Sequence, residues 1–226
     1  MARRPNNTNG STPHTSVRQT GYELFQDALL DGRLKPGQLV SQRDLVDLLN
    51  LSIGALRELL PRLQAEGLVV VMPQRGIQIL SIDLPMIRDA FQMRAALERE
   101  AVLFAVRRMP DETLAAQREL HETILTEIRT APSDDSLQRG QDIDSGFHQA
   151  LIQATGNELM MQAYNINFIR IRLIKLDRIR LNRDILPTAF AEHFAIIEGI
   201  LSRDPVTAMQ AMDAHITHAR DRAMEL

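Results

Sequence analysis

The chain has 226 residues, enough for two domains, and its 44% hydrophobic and 24% charged content is that of an ordinary globular protein. It holds no apolar run of about 18 residues that could cross a membrane, and it lacks cysteine altogether, which excludes disulfides, thiolate metal sites, Cys nucleophiles and thiol redox sensing. Any metal must therefore be held by His, Asp or Glu. The net charge of −3 hides an asymmetry: residues 1–80 carry nine Lys/Arg against seven Asp/Glu, whereas residues 81–226 carry seventeen against twenty-two. A basic first part suits phosphate contacts and an acidic second part does not.

Residues 1–15 are polar and lack the apolar core of an export signal, so they read as a disordered tail of a cytoplasmic protein. The apolar spacing then predicts a helix from Ser16 to Asp31, stopped by Gly32 and by Pro36-Gly37. Ser41, with Asp44 three residues on, approximates a capping box and opens a helix ending near Asn50; Ser52 opens the next, which runs to about Glu66 before Gly67. Leu68 to Met72 and Ile77 to Ile82 are β-rich runs around the turn Pro73-Gln74-Arg75-Gly76, where Gly supplies a positive φ. A short helix feeding a small hairpin is the layout of a winged helix-turn-helix, in which the helix enters the major groove and the wing reaches flanking phosphates. Residues 16–82 are thus read as a DNA-binding domain.

These residues resemble the GntR family of bacterial transcription regulators. The family pattern is matched by Pro36-Gly37, by Ser52-Ile53-Gly54-Ala55-Leu56-Arg57-Glu58-Leu59-Leu60, by Gly67-Leu68 and by Arg75-Gly76. The resemblance implies contacts to double-stranded, palindromic operator DNA by Arg43, Ser52, Arg57, Arg75 and Gly76. The chain departs from the family at Ile53, Gly54 and Ala55, where the family normally has Arg and two residues such as Thr or Pro at the tip that enters the groove. Losing that Arg removes the commonest partner of guanine O6 and N7.

The second part is helical by period, with segments Leu84–Arg108, Asp111–Thr130, Ser133–Thr155, Asn157–Arg183, Thr188–Ser202 and Pro205–Met224. Breaks are expected at Pro110, Pro132, Gly156, Pro187 and Asp204-Pro205. Six such helices make an all-α antiparallel bundle, so the fold class is mainly α: a winged helix-turn-helix followed by a bundle over residues 83–226. Asp144 and His148 are four apart and share a helix face. His193 lies about ten residues before the turn near Ser202 to Pro205 and His215 about eleven after it, which puts the two at one level of a helical hairpin. Three imidazoles and a carboxylate that converge suit a borderline divalent metal, zinc first, with nickel, iron or manganese as alternatives.

The same positions resemble the FCD ligand-binding domain of FadR-like GntR regulators: Asp144-Ser145-Gly146-Phe147-His148, then Gly156-Asn157, Glu192-His193 and His215. Six segments rather than seven resemble its VanR-type branch. The resemblance implies a homodimer that binds a small carboxylate effector beside the metal, with Arg94 on the first bundle helix as a carboxylate clamp; a salt bridge from Arg94 to Glu98 is the competing reading. Most of the six Arg or Lys between Arg170 and Arg183 read as a solvated face, with one or two entering the pocket. His121, His218 and Asp142 fall outside the ligand set, at the surface or in support of it. The function expected is a metabolite-responsive regulator, a repressor released by an organic acid. The alternatives are a metal sensor and a metal-dependent enzyme fused to a winged helix, since such ligand sets also serve oxygenases and hydrolases.

Overall fold

The computed structural model describes residues 15–179 and 182–225. The expected tail, apart from Thr15, lies outside the described residues, as does Arg180 of the basic run. The chain forms two compact units, divided between Ser81 and Ile82.

The first unit runs α1 (Thr15–Leu30), β1 (Leu39–Val40), α2 (Gln42–Leu49), α3 (Ile53–Ala65), β2 (Val69–Met72) and β3 (Gly76–Ile79). Ser41 and Asp44 close a full capping box, each backbone N–H donating to the other's side chain. Asn50 ends α2 in the left-handed conformation, and Ser52 then caps α3 by accepting from the Ala55 N–H. Leu45 and Leu49 of α2 and Leu56, Leu59, Leu60 and Leu63 of α3 bury their side chains with Tyr22, Phe25, Ala28 and Leu29 of α1. That core offsets the cost of Pro61 inside α3, which leaves the Arg57 carbonyl without its donor and costs about 3 kcal/mol relative to Ala.

The wing is antiparallel, in register from Val69 opposite Ile79 to Met72 opposite Gly76. Its turn needs positive φ twice, at Gln74 (60°) as well as at Gly76 (122°). A third strand, β1, was not foreseen: it pairs with β3 to give the order β1-β3-β2, and two residues are too few to show a period. It also explains Gly76, since a Cβ there would stand 2.6 Å from the Val40 carbonyl oxygen.

The second unit contains α4 (Leu84–Arg108), α5 (Asp111–Thr130), α6 (Asp134–Ala154), α7 (Glu158–Ile174), α8 (Ile185–Leu201) and α9 (Pro205–Met224). The number of helices is as expected, with two corrections. The helix foreseen from Asn157 to Arg183 ends its α-helical part at Ile174 and continues as a π-type turn, Lys175–Ile179. Pro187 does not break the chain but sits in the first turn of α8, where its missing N–H would have had no intrahelical acceptor anyway. Helix α4 packs against α6, α7, α8 and α9, and α8 lies along α9. The α8–α9 approach is so close that a Cβ on Gly199 would stand 2.6 Å from Ala208 Cα. The core is aliphatic apart from Phe91, Phe147, Phe190 and Tyr164.

Candidate functional site

Four helices supply a polar cluster inside this apolar bundle. Arg94 and Glu98 come from α4, Asp144 and His148 from α6, His193 from α8 and His215 from α9, all at most 3% exposed. The antiparallel α8–α9 hairpin brings His193 and His215 to the same level, with ring centroids 4.7 Å apart. His148 enters from α6, its ring centroid 4.9 Å from that of His193 and 5.0 Å from that of His215. One nitrogen from each of the three histidines lies within 4.8 Å of the others.

The hydrogen-bond network assigns the tautomers. His215 Nδ1 donates to Glu192 Oε2 at 2.8 Å, which leaves its Nε2 as a lone pair. His148 Nε2 accepts from Arg94 Nη2 at 2.6 Å, so its proton is on Nδ1. That Nδ1 stands 2.8 Å from Glu98 Oε2 but off the line of a good hydrogen bond, so both atoms lack a hydrogen-bond partner. His193 is fixed by a residue that the sequence left outside the set. His121 Nδ1 donates to the Gln117 carbonyl at 2.6 Å, its Nε2 must then accept, and His193 Nδ1 donates to it at 2.9 Å. His193 Nε2 is consequently a buried lone pair without a hydrogen bond.

The Nδ1 atoms of His193 and His215 are therefore held from behind by His121 and Glu192, while His148 is oriented through its Nε2 by Arg94, an arrangement in which supporting groups orient metal-binding imidazoles. Burial keeps these rings neutral: it holds His193 down at about 3 against the opposing pull of Asp144, and holds His148 and His215 well below the ordinary histidine value. Neutral imidazoles are what a metal requires. Burial also lowers His121 and raises Glu98, the latter against the pull of Arg94.

Asp144 is only partly in the set. Its Oδ1 lies 3.6 Å from His193 Nε2, while its Oδ2 is ion-paired with Lys175, the first residue of the π turn. Burial would raise its carboxyl, but Lys175 and then His193 hold it below the usual carboxylate range. Arg94 makes the salt bridge that was the competing reading of it, its Nε bonding Glu98 Oε1 at 2.8 Å; its Nη2 reaches the imidazoles and its buried Nη1 has no hydrogen-bond partner. The cavity bordered by Arg94, Tyr164, Asn167, Arg172 and Lys175 measures about 10 Å³, room for about one water. A far larger groove of about 750 Å³ opens between α5 and α6 along Gln117, Leu120, Ile143 and Gly146, on a different face of α6 from Asp144 and His148.

In the first unit, Arg43, Arg57 and Arg75 are exposed, Arg43 lying 4.0 Å from Asp47. The Ser52 hydroxyl oxygen is engaged in capping α3, and Ile53 and Gly54 are exposed at the tip of that helix.

Comparison with known proteins draws the two units together. The model of the bacterial regulatory proteins of the gntR family matches residues 18–79, and the FCD domain matches residues 89–218. This chain is a GntR-family regulator with an FCD domain. Among its relatives, the transcriptional repressor GlaR of Escherichia coli is 27% identical over 87% of this chain and 90% of its own, and the transcriptional regulator LutR of Bacillus subtilis 28% identical over 84% and 94%. The structure of E. coli McbR/YncC shares the fold at a TM-score of 0.70 and 19% identity, covering 90% of this chain and 94% of that one.

Within this regulator the remaining sequence expectations fall as follows. Asp142 is exposed and accepts from Gln138 Nε2, on its own face of α6. His218 is exposed and shares Glu192 with His215, so it supports the cluster from outside. His121 is fully buried rather than at the surface. No periodic signal marks it, because its partners lie on α6 and α8, and its neighbours His193, Phe147 and Phe190 are remote in the chain. Of the basic run, Lys175 is partly buried and paired with Asp144 and Arg172 borders the cavity, whereas Arg178 pairs with Asp177. The relatives are transcription regulators, so the enzyme alternative has no support. Among the described residues no helix is long and apolar enough to cross a membrane.

Proposed function

We propose that this regulator is a homodimeric repressor of operator DNA, and that a small carboxylate effector bound beside a divalent metal in residues 83–226 releases it. The observation that carries this is the gathering of one nitrogen each from His148, His193 and His215 within 4.8 Å, with the Nδ1 protons of His193 and His215 held by His121 and Glu192. The donor set fits a metal: neutral, buried, nitrogen-rich, with Asp144 adjacent, which favours zinc or nickel over calcium or magnesium. The ion would supply a fixed positive charge that holds an anionic oxygen, and Arg94 would orient a carboxylate through its fork of donors. On the DNA side, Arg43, Arg57 and Arg75 neutralise phosphates, Gly76 keeps the wing tip close to β1, and Ser52 sets the start of the reading helix.

The cavity of about 10 Å³ lends weight to a second reading, in which the ion is itself the signal, because an effector does not fit without rearrangement. Gel-shift titration on the upstream region of its own gene decides between the two. Release that needs an organic acid as well as metal supports the first reading, release by metal alone supports the second, and absence of any specific shift refutes both. Mass-spectrometric detection of a co-purified acid identifies the effector.

A further inference from the structure

His148 Nε2 and His215 Nε2 face each other 3.2 Å apart, and both are acceptors by the network above. Two lone pairs at that distance repel unless a positive group lies between them, and Arg94 Nη2 does so, at 2.6 Å from one and 3.4 Å from the other. A lone pair serves one electrophile at a time, so this guanidinium and a metal ion cannot use those nitrogens together. The fourth expected ligand is treated alike: the Lys175 ammonium is paired with Asp144 Oδ2. The cluster is also balanced in charge, two buried carboxylates (Glu98, Asp144) facing the buried Arg94 and the partly buried Lys175, and the cavity left beside them is about 10 Å³. An entering ion therefore meets His148 and His215 engaged by Arg94 and Asp144 Oδ2 engaged by Lys175, while His193 Nε2 has no hydrogen-bond partner. Lys175 opens the π turn, an irregularity of the kind that gathers at functional sites.

We propose that Arg94 and Lys175 are built-in competitors for the divalent ion, holding its ligands oriented and setting how tightly the metal binds by having to withdraw from them. This rests on the metal reading above. It assigns Lys175 a role that no sequence motif indicated, and it gives Arg94 one that precedes any contact with an effector. Ligands held by weak internal cations stay buried without an unpaired charge, and only an ion that binds them better displaces those cations.

The test is nickel affinity of the full chain, measured by competition with a coloured chelator. Lys175→Met frees Asp144, and Arg94→Lys keeps the charge while losing the planar fork that bridges two imidazoles. Arg172→Gln removes a charge from the same cavity wall without touching a ligand and so measures general electrostatics. Lys175→Met and Arg94→Lys are expected to bind nickel about tenfold tighter than wild type, the scale of a lost charge-assisted hydrogen bond, and tighter than Arg172→Gln. Circular dichroism confirms the fold of each variant. If both variants match Arg172→Gln or bind more weakly while His148→Ala still loses nickel, the competition is refuted and the metal site stands. If wild type takes up no more nickel than His148→Ala, the metal reading fails and this proposal with it.

Discussion

Acid should destabilise the bundle steeply, through the same burial that keeps its histidines neutral. In the unfolded chain each imidazole titrates near 6.5, whereas in the fold His193 is held down at about 3 and His148 and His215 are held well below the ordinary value. Their folded values are depressed, so below pH 6.5 the unfolded state binds protons that the folded state refuses. The stability they carry is complete above pH 6.5 and is lost as the pH falls from there toward the folded values. Each contributes about 1.4 kcal/mol per pH unit in that window. Glu98, raised by burial, takes up a proton in the fold first and opposes the effect by at most one proton. His121, also lowered by burial, adds to the effect, so the net is two to four protons, or about 3 to 5 kcal/mol between pH 7.5 and 5.5, against a total stability of about 5–15 kcal/mol for a typical domain. Urea unfolding of chelator-treated protein, followed by far-ultraviolet circular dichroism at pH 7.5, 6.5 and 5.5, measures it. His193→Gln should flatten the dependence by about one proton. A urea midpoint that is the same at pH 7.5 and 5.5 would refute the assignment of these rings as buried and neutral.

Other outcomes follow from single contacts. His148→Ala, His193→Ala and His215→Ala should each reduce bound metal and remove the metal-induced rise in melting temperature, since a ligand of the native state alone stabilises it; full occupancy in all three would exclude the site. His121→Ala should weaken metal binding about 10- to 100-fold although it is no ligand, because His193 loses the partner that fixes its Nδ1 proton; unchanged affinity would show that His121 is only packing. Gly199→Ala should lower the melting temperature, by an amount equivalent to about 1–3 kcal/mol, because its Cβ meets Ala208 backbone, and should lower metal uptake as His193 and His215 part. Replacing Arg43, Arg57 or Arg75 by Ala should each reduce the salt slope of operator binding by about 0.9; three unchanged slopes would remove these residues from the DNA interface.

The elements that were legible in the sequence are those whose causes are local. Ser41 with Asp44 and Ser52 announced two helix starts because caps act within three residues. The wing was legible from β-branched runs around Arg75-Gly76, but β1 was not, since a two-residue strand exists only through its partner. Pro187 misled because the rule that proline ends helices holds for interiors, and the start of α8 two residues before it, beside Asn182 and Asp184, carries little sequence signal. The π turn after Ile174 has no compositional mark at all.

At the cluster the divide is sharper. His193 and His215 could be set at one level by counting residues on either side of a turn, because an antiparallel hairpin of known rise leaves no freedom along its axis. Asp144 and His148 could be paired because four residues return a helix to the same face. What counting along one chain segment cannot supply is the phase between helices that are not adjacent in sequence, and the groups that decide the chemistry come from there. His121 reaches His193 across 72 residues, Lys175 reaches Asp144 across 31, and Arg94 reaches His148 across 54 and His215 across 121. The ligands are therefore read from spacing, while the cations that engage them and the carboxylates that hold them are read only from packing. Ligand spacing alone thus leaves metal affinity undetermined: on the competition proposed above, Arg94 and Lys175, engaged on His148, His215 and Asp144, would set it, and substitutions at those two positions are expected to shift it with every ligand in place.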